Sequence, residues 1–158
     1  MPQGRRPPAG NLGGVTSELH DTAAVRLRAV DQRYTGGRRA LVSVLVAAAR
    51  PLSIPEILVA DPSIPQSSVY RNLSVLELAG VVRKLAGGDE FSRFELAEDL
   101  TSHHHHLVCV SCGSVDDYVV PSRFERTMAK AIDEVTAETG FRPQFHRLDL
   151  VGLCARCN

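Results

Sequence analysis

The sequence has no run of apolar residues that approaches the ~20 needed for a membrane-spanning helix. Its first residues, MPQGRRPPAGNLGG, have no apolar core after the arginines, so they do not resemble a secretory signal. These two absences predict a cytoplasmic protein that has no membrane partner.

Common catalytic motifs are also missing. The chain contains no His-Glu-x-x-His motif, no glycine loop that would cradle phosphates and no recognisable Ser/His/Asp set. The 68 residues after position 90 leave little room for a substrate pocket. We therefore expect a protein that is not an enzyme and takes no small-molecule substrate. A metal carrier or a small metalloenzyme remains the alternative class.

The protein has no net charge, because 18 basic side chains balance 18 acidic ones. The charges are unevenly distributed, however. Residues 1–90 hold 11 Lys and Arg against 8 Asp and Glu, a balance of +3, whereas residues 91–158 hold 7 against 10, a balance of −3. This asymmetry permits nucleic-acid binding by the first half without requiring it.

The four cysteines form two Cys-x-x-Cys pairs separated by 41 residues. They are Cys109 and Cys112 in CVSC, and Cys154 and Cys157 in CARC. Each pair supplies two thiolates at the spacing that zinc requires, and four thiolates complete a tetrahedral site. Two pairs with the same spacing favour structural zinc over the alternative, one redox-active pair with two unrelated cysteines.

Residues 1–16 are rich in Pro, Gly and Arg and are predicted to be a disordered lead-in. Helical periodicity then predicts four helices, with Ser53 as the N-cap of the third and Gly80 ending the fourth. Their ranges are 17–33, 38–50, 54–60 and 66–80.

The fourth helix has two distinct faces. Val69, Leu73 and Leu76 form its apolar stripe. The opposite face suits a DNA groove, although its residues could instead be an ordinary solvated surface. This candidate DNA-binding face consists of Ser67, Tyr70, Arg71 and Ser74.

Two short β-rich runs, VVRKLA and FSRFEL, follow this helix and are joined by GGDE, which predicts a hairpin. Three helices followed by a hairpin is the order of a winged helix-turn-helix, here with one additional N-terminal helix. We expect this DNA-binding domain to span residues 17–96. The polar residues 97–102 are predicted to be a hinge.

Residues 103–158 predict a small α/β unit with the order strand, strand, helix, strand. A unit of this size buries little, so zinc would stabilise it. An exposed strand edge would invite a second copy to pair, which predicts a homodimer. The fold class is therefore α+β, with a winged helix-turn-helix domain followed by a small α/β dimerisation domain.

Four consecutive histidines begin this second unit. If HHHHLVC is a strand, its side chains point alternately to opposite faces. His103 and His105 then lie on one face, whereas His104 and His106 lie on the other. The run predicts two separate metal sites, each of which needs further ligands from elsewhere.

The motifs SSVYRNLSVLELAGVV, FEL, HHHHLVCVSCG, HRLDLVGLC and CARC together resemble those of the ferric uptake regulator (Fur) family of metal-dependent bacterial repressors. The resemblance covers about residues 25–158. It implies a homodimer that binds a double-stranded DNA operator. A zinc-ribbon interaction module is a further alternative, but it leaves the candidate DNA-binding face unexplained.

The resemblance also implies three metal sites. The four cysteines match the family's structural zinc site, and Glu95, His104 and His106 match an interdomain regulatory site. A second regulatory site is implied by four further residues. They are His103, His105, Glu125 and His146.

The chain departs from the family pattern at the interdomain site. Where many members supply a histidine before the third helix, this chain has Pro51, so His20 is a candidate substitute. The alternative is that His20 is a surface residue, as lone helical histidines more often are. Zinc uptake regulators of the family would have a cysteine and an aspartate near Ala97 and Arg83. Their absence favours Fe²⁺ over Zn²⁺ as the regulatory metal, with a zinc uptake regulator or a peroxide-stress sensor as alternatives.

Overall fold

The computed structural model describes residues 12–86 and 91–158. The elements occur in two groups along the chain. The first group is α1 (Leu12–Ala29), α2 (Gly36–Ala48), β1 (Leu52–Ser53), α3 (Ile54–Ala60), α4 (Gln66–Leu78), β2 (Val82–Ala86) and β3 (Ser92–Leu96). The second group is β4 (His105–Cys109), β5 (Val115–Tyr118), α5 (Ser122–Thr139) and β6 (Asp149–Gly152).

Each group forms its own three-stranded sheet. The first sheet has the order β1-β3-β2 and is antiparallel throughout. The second has the order β5-β4-β6, in which β4 pairs antiparallel with β5 and parallel with β6. The predicted α+β class, with a helix-turn-helix unit before an α/β unit, is confirmed. Among the described residues, no helix is both long and apolar enough to cross a membrane.

Local signals position the helices of the first unit. Ser53 caps α3 in a capping box, because its backbone N–H donates to Glu56 Oε2 at 2.8 Å and its hydroxyl faces the Glu56 N–H. Gly80 ends α4 with a φ of 66°, a conformation that a side chain would disfavour. Its N–H donates to the Glu77 carbonyl, and the next N–H, of Val81, donates to the Leu76 carbonyl.

The hydrophobic core belongs to the first unit. It includes the fully buried Leu27, Leu41, Ile57, Leu73 and Leu76, so the predicted inward stripe of α4 packs as expected. The second unit is different. Its helix α5 is described in full and none of its residues is buried.

Besides shifts of two to four residues at other helix ends, the structure differs from the predicted elements in three places. Helix α1 begins at Leu12, so residues 12–16 are helical and not a disordered lead-in, since Gly13 and Gly14 hid the helix in the sequence. Strand β1 was not predicted, because two residues carry no periodicity. Strand β4 begins at His105 and not at residue 103. The rest of the lead-in and the GGDE turn lie outside the described residues.

A 3-10 turn, Glu98–Leu100, occupies the predicted hinge between the two units. The buried Arg93 reaches from β3 into the second unit, where its Nη2 donates to the Gly113 carbonyl at 2.6 Å. Gly113 directly follows the first cysteine pair. The two units therefore meet along β3, which brings Glu95 close to β4.

Candidate metal centres and DNA-binding face

The side chains of the candidate DNA-binding face all point away from the core. Ser67, Tyr70, Arg71 and Ser74 are exposed, and 62% of Tyr70 is accessible. The Ser74 hydroxyl donates to the Tyr70 carbonyl within the helix at 3.0 Å. Helix α4 thus presents an aromatic and a cationic side chain to solvent.

The four cysteines converge at one end of the second sheet, where their sulfur atoms lie within 4.8 Å of one another. Cys109 ends β4, and the Sγ atoms of Cys112 and Cys154 are 3.7 Å apart. Backbone N–H groups of Cys112 and Cys154 lower the pKa of the Cys109 thiol to about 6, which favours the thiolate that zinc requires. Four thiolates in this arrangement fit a tetrahedral structural zinc.

A second cluster joins the two units, and we call it the interdomain centre. Glu95 of β3 directs Oε2 toward His104 Nε2 at 3.2 Å and toward His106 Nε2 at 3.0 Å. Glu95 and His106 are almost completely buried, with 5% and 1% of their surfaces exposed. Buried carboxylate and imidazole groups that share one point suit a divalent cation.

Asp117 is the fourth member of the interdomain centre and was missed in the sequence. It lies directly opposite His106 in the β4–β5 pairing, and its Oδ1 is 3.9 Å from His104 Nε2. Its neighbour in sequence, Asp116, carries the same carboxylate side chain, so the sequence alone does not distinguish the two. The register of the two strands would have singled out Asp117, but that register depends on the turn at the first cysteine pair.

The histidines of the interdomain centre are oriented by their outer nitrogens. His104 Nδ1 donates to the Ser102 carbonyl at 2.8 Å, and His106 Nδ1 lies 3.3 Å from Asp149 Oδ1. Such contacts fix the ring so that Nε2 faces inward, as is usual for histidines that bind metal. The donor set is therefore preorganised.

Arg83 holds the other oxygen of Glu95. Its Nε and Nη2 donate to Oε1 at 3.0 and 2.6 Å. Burial alone would raise the pKa of Glu95, but the hydrogen bonds from His104, His106 and Arg83 outweigh it and keep that pKa far below its usual range. The hydrogen bond with Glu95 in turn raises the pKa of His104 to about 9, against an opposing effect of burial.

Metal affinity of the interdomain centre should consequently depend on pH. A bound ion must displace the Nε2 proton of His104, because an imidazole binds metal in its neutral form. With a pKa of about 9, we expect affinity to rise about tenfold per unit between pH 7 and 9 and then level off. Isothermal titration with Mn²⁺ across this range measures it.

The control for this pH effect is His104→Ala, which should show a clearly shallower dependence; an equally steep one would contradict the assignment. The stability of the metal-free protein depends on pH in the opposite direction and decreases as pH rises. The stabilisation from the Glu95–His104 pair is fully present below the unfolded pKa, near 6.5, and is lost as pH rises through about 9, because the folded state raises this pKa.

The third cluster, which we call the histidine-rich centre, lies on the side of β4 opposite the interdomain centre. Its members are His103, His105, Glu125 and His146. Glu125, in the first turn of α5, places Oε1 2.6 Å from His105 Nε2 and 3.5 Å from His103 Nε2. His146 Nε2 is buried without a hydrogen-bond partner and lies 3.5 Å from Glu125 Oε2. An ion would satisfy this nitrogen, so the set fits a metal.

The structure does not bring His20 to the interdomain centre. It is buried in the helical layer, where Nδ1 lies 2.5 Å from the Tyr34 hydroxyl and Nε2 lies 3.4 Å from the Ser43 hydroxyl. The histidine is thus a core residue, neither a ligand in this arrangement nor a surface residue. Pro51 is fully buried.

Known proteins match this chain over most of its length. The ferric uptake regulator family model matches residues 29–151. The peroxide operon regulator of Bacillus subtilis is 31% identical over 137 residues, which cover 84% of this chain and 88% of that protein. The ferric uptake regulation protein of the same organism is 37% identical over 100 residues, covering 62% and 63%.

A solved structure agrees with these matches. The ferric uptake regulator of Vibrio cholerae superimposes with a TM-score of 0.63 at 26% identity, covering 88% of this chain and 98% of that one. The family model alone spans far more than half of the chain. The protein therefore belongs to the ferric uptake regulator family.

Proposed function

We propose that the protein is a transcriptional repressor that binds operator DNA as a homodimer when a regulatory metal, Fe²⁺ in the first instance, occupies the interdomain centre. The observation that carries the proposal is that this centre takes ligands from both units. Glu95 comes from the hairpin of the DNA-binding unit, whereas His104, His106 and Asp117 come from the second unit.

An ion at this position would act as a lock between the units. It binds best when Glu95 and the two histidines are together, so it shifts the population toward the closed arrangement. About a 10⁴-fold preference would move the equilibrium from almost all open to almost all closed. The Vibrio cholerae relative shows a rearrangement of its DNA-binding domains. A hinge at residues 97–102, between domains 17–96 and 103–158, would allow such a movement here.

The exposed face of α4 is the proposed DNA contact. Arg71 suits a phosphate or a guanine edge, and Tyr70 suits a base edge or a thymine methyl group. Ser67 and Ser74 would contact the DNA backbone and so position the helix. In a closed dimer, two copies of α4 would lie at the spacing of successive major grooves.

Exposed apolar residues in the second unit support the homodimer. Phe124 and Val135 of α5 are 45% and 53% accessible, and Leu150, Val151 and Leu153 at the β6 edge are at least half accessible. Large side chains concentrated on one unit are typical of an interface that a partner covers. A second copy of this chain would cover the face that α5 leaves open.

The donor set limits the choice of regulatory metal without selecting one ion. Two imidazoles and two carboxylates, without a thiolate among the described residues of the centre, suit Fe²⁺, Mn²⁺ and Zn²⁺. Relatives include both a ferric uptake regulator and a peroxide regulator. A zinc uptake regulator and a peroxide sensor are therefore the alternative functions, while the four cysteines hold structural Zn²⁺.

The test is operator binding by fluorescence anisotropy, with zinc-loaded protein and Fe²⁺, Mn²⁺, Zn²⁺ or Ni²⁺ titrated separately at fixed salt. Fixed salt is essential because phosphate contacts dominate DNA affinity. We expect one ion, Fe²⁺ first, to tighten binding sharply at low free concentration. If no ion changes DNA affinity, the histidines serve transport, catalysis or structure instead.

Arg71→Ala separates a DNA-binding regulator from a metal carrier. It should weaken operator binding about 5- to 150-fold, the range for losing one good base contact (about 1–3 kcal/mol), while zinc and regulatory metal contents stay unchanged. Arg142→Ala, an equal change of charge on an exposed loop of the second unit, is the matched control. Equal losses for both variants would indicate general electrostatics and contradict the assigned face.

A further inference from the structure

Arg83 contacts carboxylates that belong to two different parts of the structure. It holds Oε1 of Glu95 through Nε and Nη2, and its Nη1 donates to Glu98 Oε2 at 3.3 Å. Glu98 lies in the 3-10 turn between the two units. Arg83 and Glu98 are each about three-quarters shielded from solvent.

The second carboxylate oxygen of Glu98 leads to the other centre. Glu98 Oε1 is hydrogen-bonded to Nδ1 of His103, whose Nε2 faces Glu125 in the histidine-rich centre. An unbroken path of four side chains, which we call the relay, therefore connects the two centres. Its members in order are Glu95, Arg83, Glu98 and His103.

We propose that Arg83 and Glu98 are positioning residues that couple the interdomain centre to the histidine-rich centre, so that a metal in one strengthens binding in the other. This inference rests on the proposed function in taking both clusters as metal sites. It goes further by naming the residues that connect the two sites and by predicting that their coupling is positive. Neither residue is a ligand in the two clusters.

The sign follows from the roles of the two nitrogens of His103. An ion in the histidine-rich centre takes Nε2, which leaves Nδ1–H as a fixed donor to Glu98. Metal-binding histidines use the outer nitrogen toward a carboxylate in this way, and such partners affect metal affinity 10- to 100-fold. Glu98, once fixed, presents Oε2 to Arg83 in a single orientation.

Arg83 transmits this order to the interdomain centre. Because Nε and Nη2 of Arg83 both donate to Oε1 of Glu95, only Oε2 remains to face His104 and His106. A ligand held in its binding orientation loses less conformational freedom when the ion arrives, so affinity rises. The coupling is reciprocal, since each ion must change the affinity of the other by the same factor.

The experiment is a double-mutant cycle on the full-length, zinc-loaded protein, with Co²⁺ as the probe because its absorption reports ligand sets separately. His146→Ala weakens the histidine-rich centre, and Glu98→Gln removes the charge of the relay but keeps its shape. We expect His146→Ala to lower Co²⁺ affinity at the interdomain centre about tenfold in the parent protein. In the Glu98→Gln background the same change should have less than a twofold effect.

Asp99→Asn is the matched control, because this neighbouring carboxylate pairs with Arg26 and touches neither centre. It should preserve the tenfold effect. Arg83→Lys keeps the charge but cannot hydrogen-bond Glu95 and Glu98 in the same geometry. It should therefore abolish the tenfold effect of His146→Ala, as Glu98→Gln does. An unchanged effect of His146→Ala in the Glu98→Gln background, or no effect in the parent, would overturn the relay.

Operator binding by the same Co²⁺-loaded samples tests the proposed function separately from the relay. Coupled centres without any change in DNA affinity would contradict the proposed function and leave the relay standing. Independent centres together with Co²⁺-dependent DNA binding would leave the repressor standing and contradict the relay.

Discussion

Replacing Glu95 with glutamine is expected to abolish metal-dependent operator binding. The carboxylate is the only group that the described part of the DNA-binding unit contributes to the interdomain centre. A neutral amide is a poor metal ligand, and it no longer balances the adjacent guanidinium and imidazoles. We expect affinity for the regulatory metal to fall at least 100-fold, with zinc content unchanged. This exceeds the loss of about 10- to 100-fold for a residue that only hydrogen-bonds a metal ligand.

This loss is measured by anisotropy on operator DNA with increasing Mn²⁺ or Fe²⁺. Glu138→Gln, an equal change of charge on the exposed end of α5, serves as the control. The double variant Glu95→Ala with His104→Ala extends the test to both units. If metal still tightened operator binding in these variants, the lock between the units would have to lie elsewhere.

Replacing Cys109 with serine should remove the structural zinc and unfold the second unit. That unit has few buried apolar residues, among them Val115 and Val120, whereas the core belongs to the first unit. Apparent zinc-binding free energies of about 10–16 kcal/mol in small zinc domains exceed what so small an apolar cluster supplies. We therefore expect a monomer that retains its N-terminal helices and lacks both histidine centres.

Three measurements check this outcome: zinc by atomic emission, association by sedimentation velocity, and helix content by circular dichroism. Val110→Ala, which changes an exposed residue between the first two cysteines, is the matched control and should keep one zinc per chain. A zinc-free Cys109→Ser protein that remained a folded dimer would show that zinc is dispensable for the second unit.

The sequence predicted the features that depend on periodicity and spacing. Alternation along the histidine run assigned His103 and His105 to one centre and His104 and His106 to the other, and the structure groups them in this way. The N-cap at Ser53 and the glycine that ends α4 were equally local signals. Each depends on residues within a few positions of one another.

Features that depend on strand register or on contacts between elements far apart in the sequence were not predictable. Asp117 required the register of β4 against β5, and the fork of Arg83 onto Glu95 required the pairing of β2 with β3. His20 has no signal that distinguishes it from a surface residue, since its burial comes from Tyr34 and Ser43 on other elements. Arg93 reaches Gly113 only because the two units touch.

A run of four identical residues carries no information about its own alignment. If β4 moved by one position against β5, every side chain would change faces, yet histidines would still occupy most of the vacated positions. The cysteine that ends the strand removes this ambiguity, because Cys109 can bind zinc from only one alignment and its N–H donates to the Ser114 carbonyl at 2.9 Å. Structural zinc at the four cysteines therefore fixes the strand register that assigns each histidine to one of the two centres.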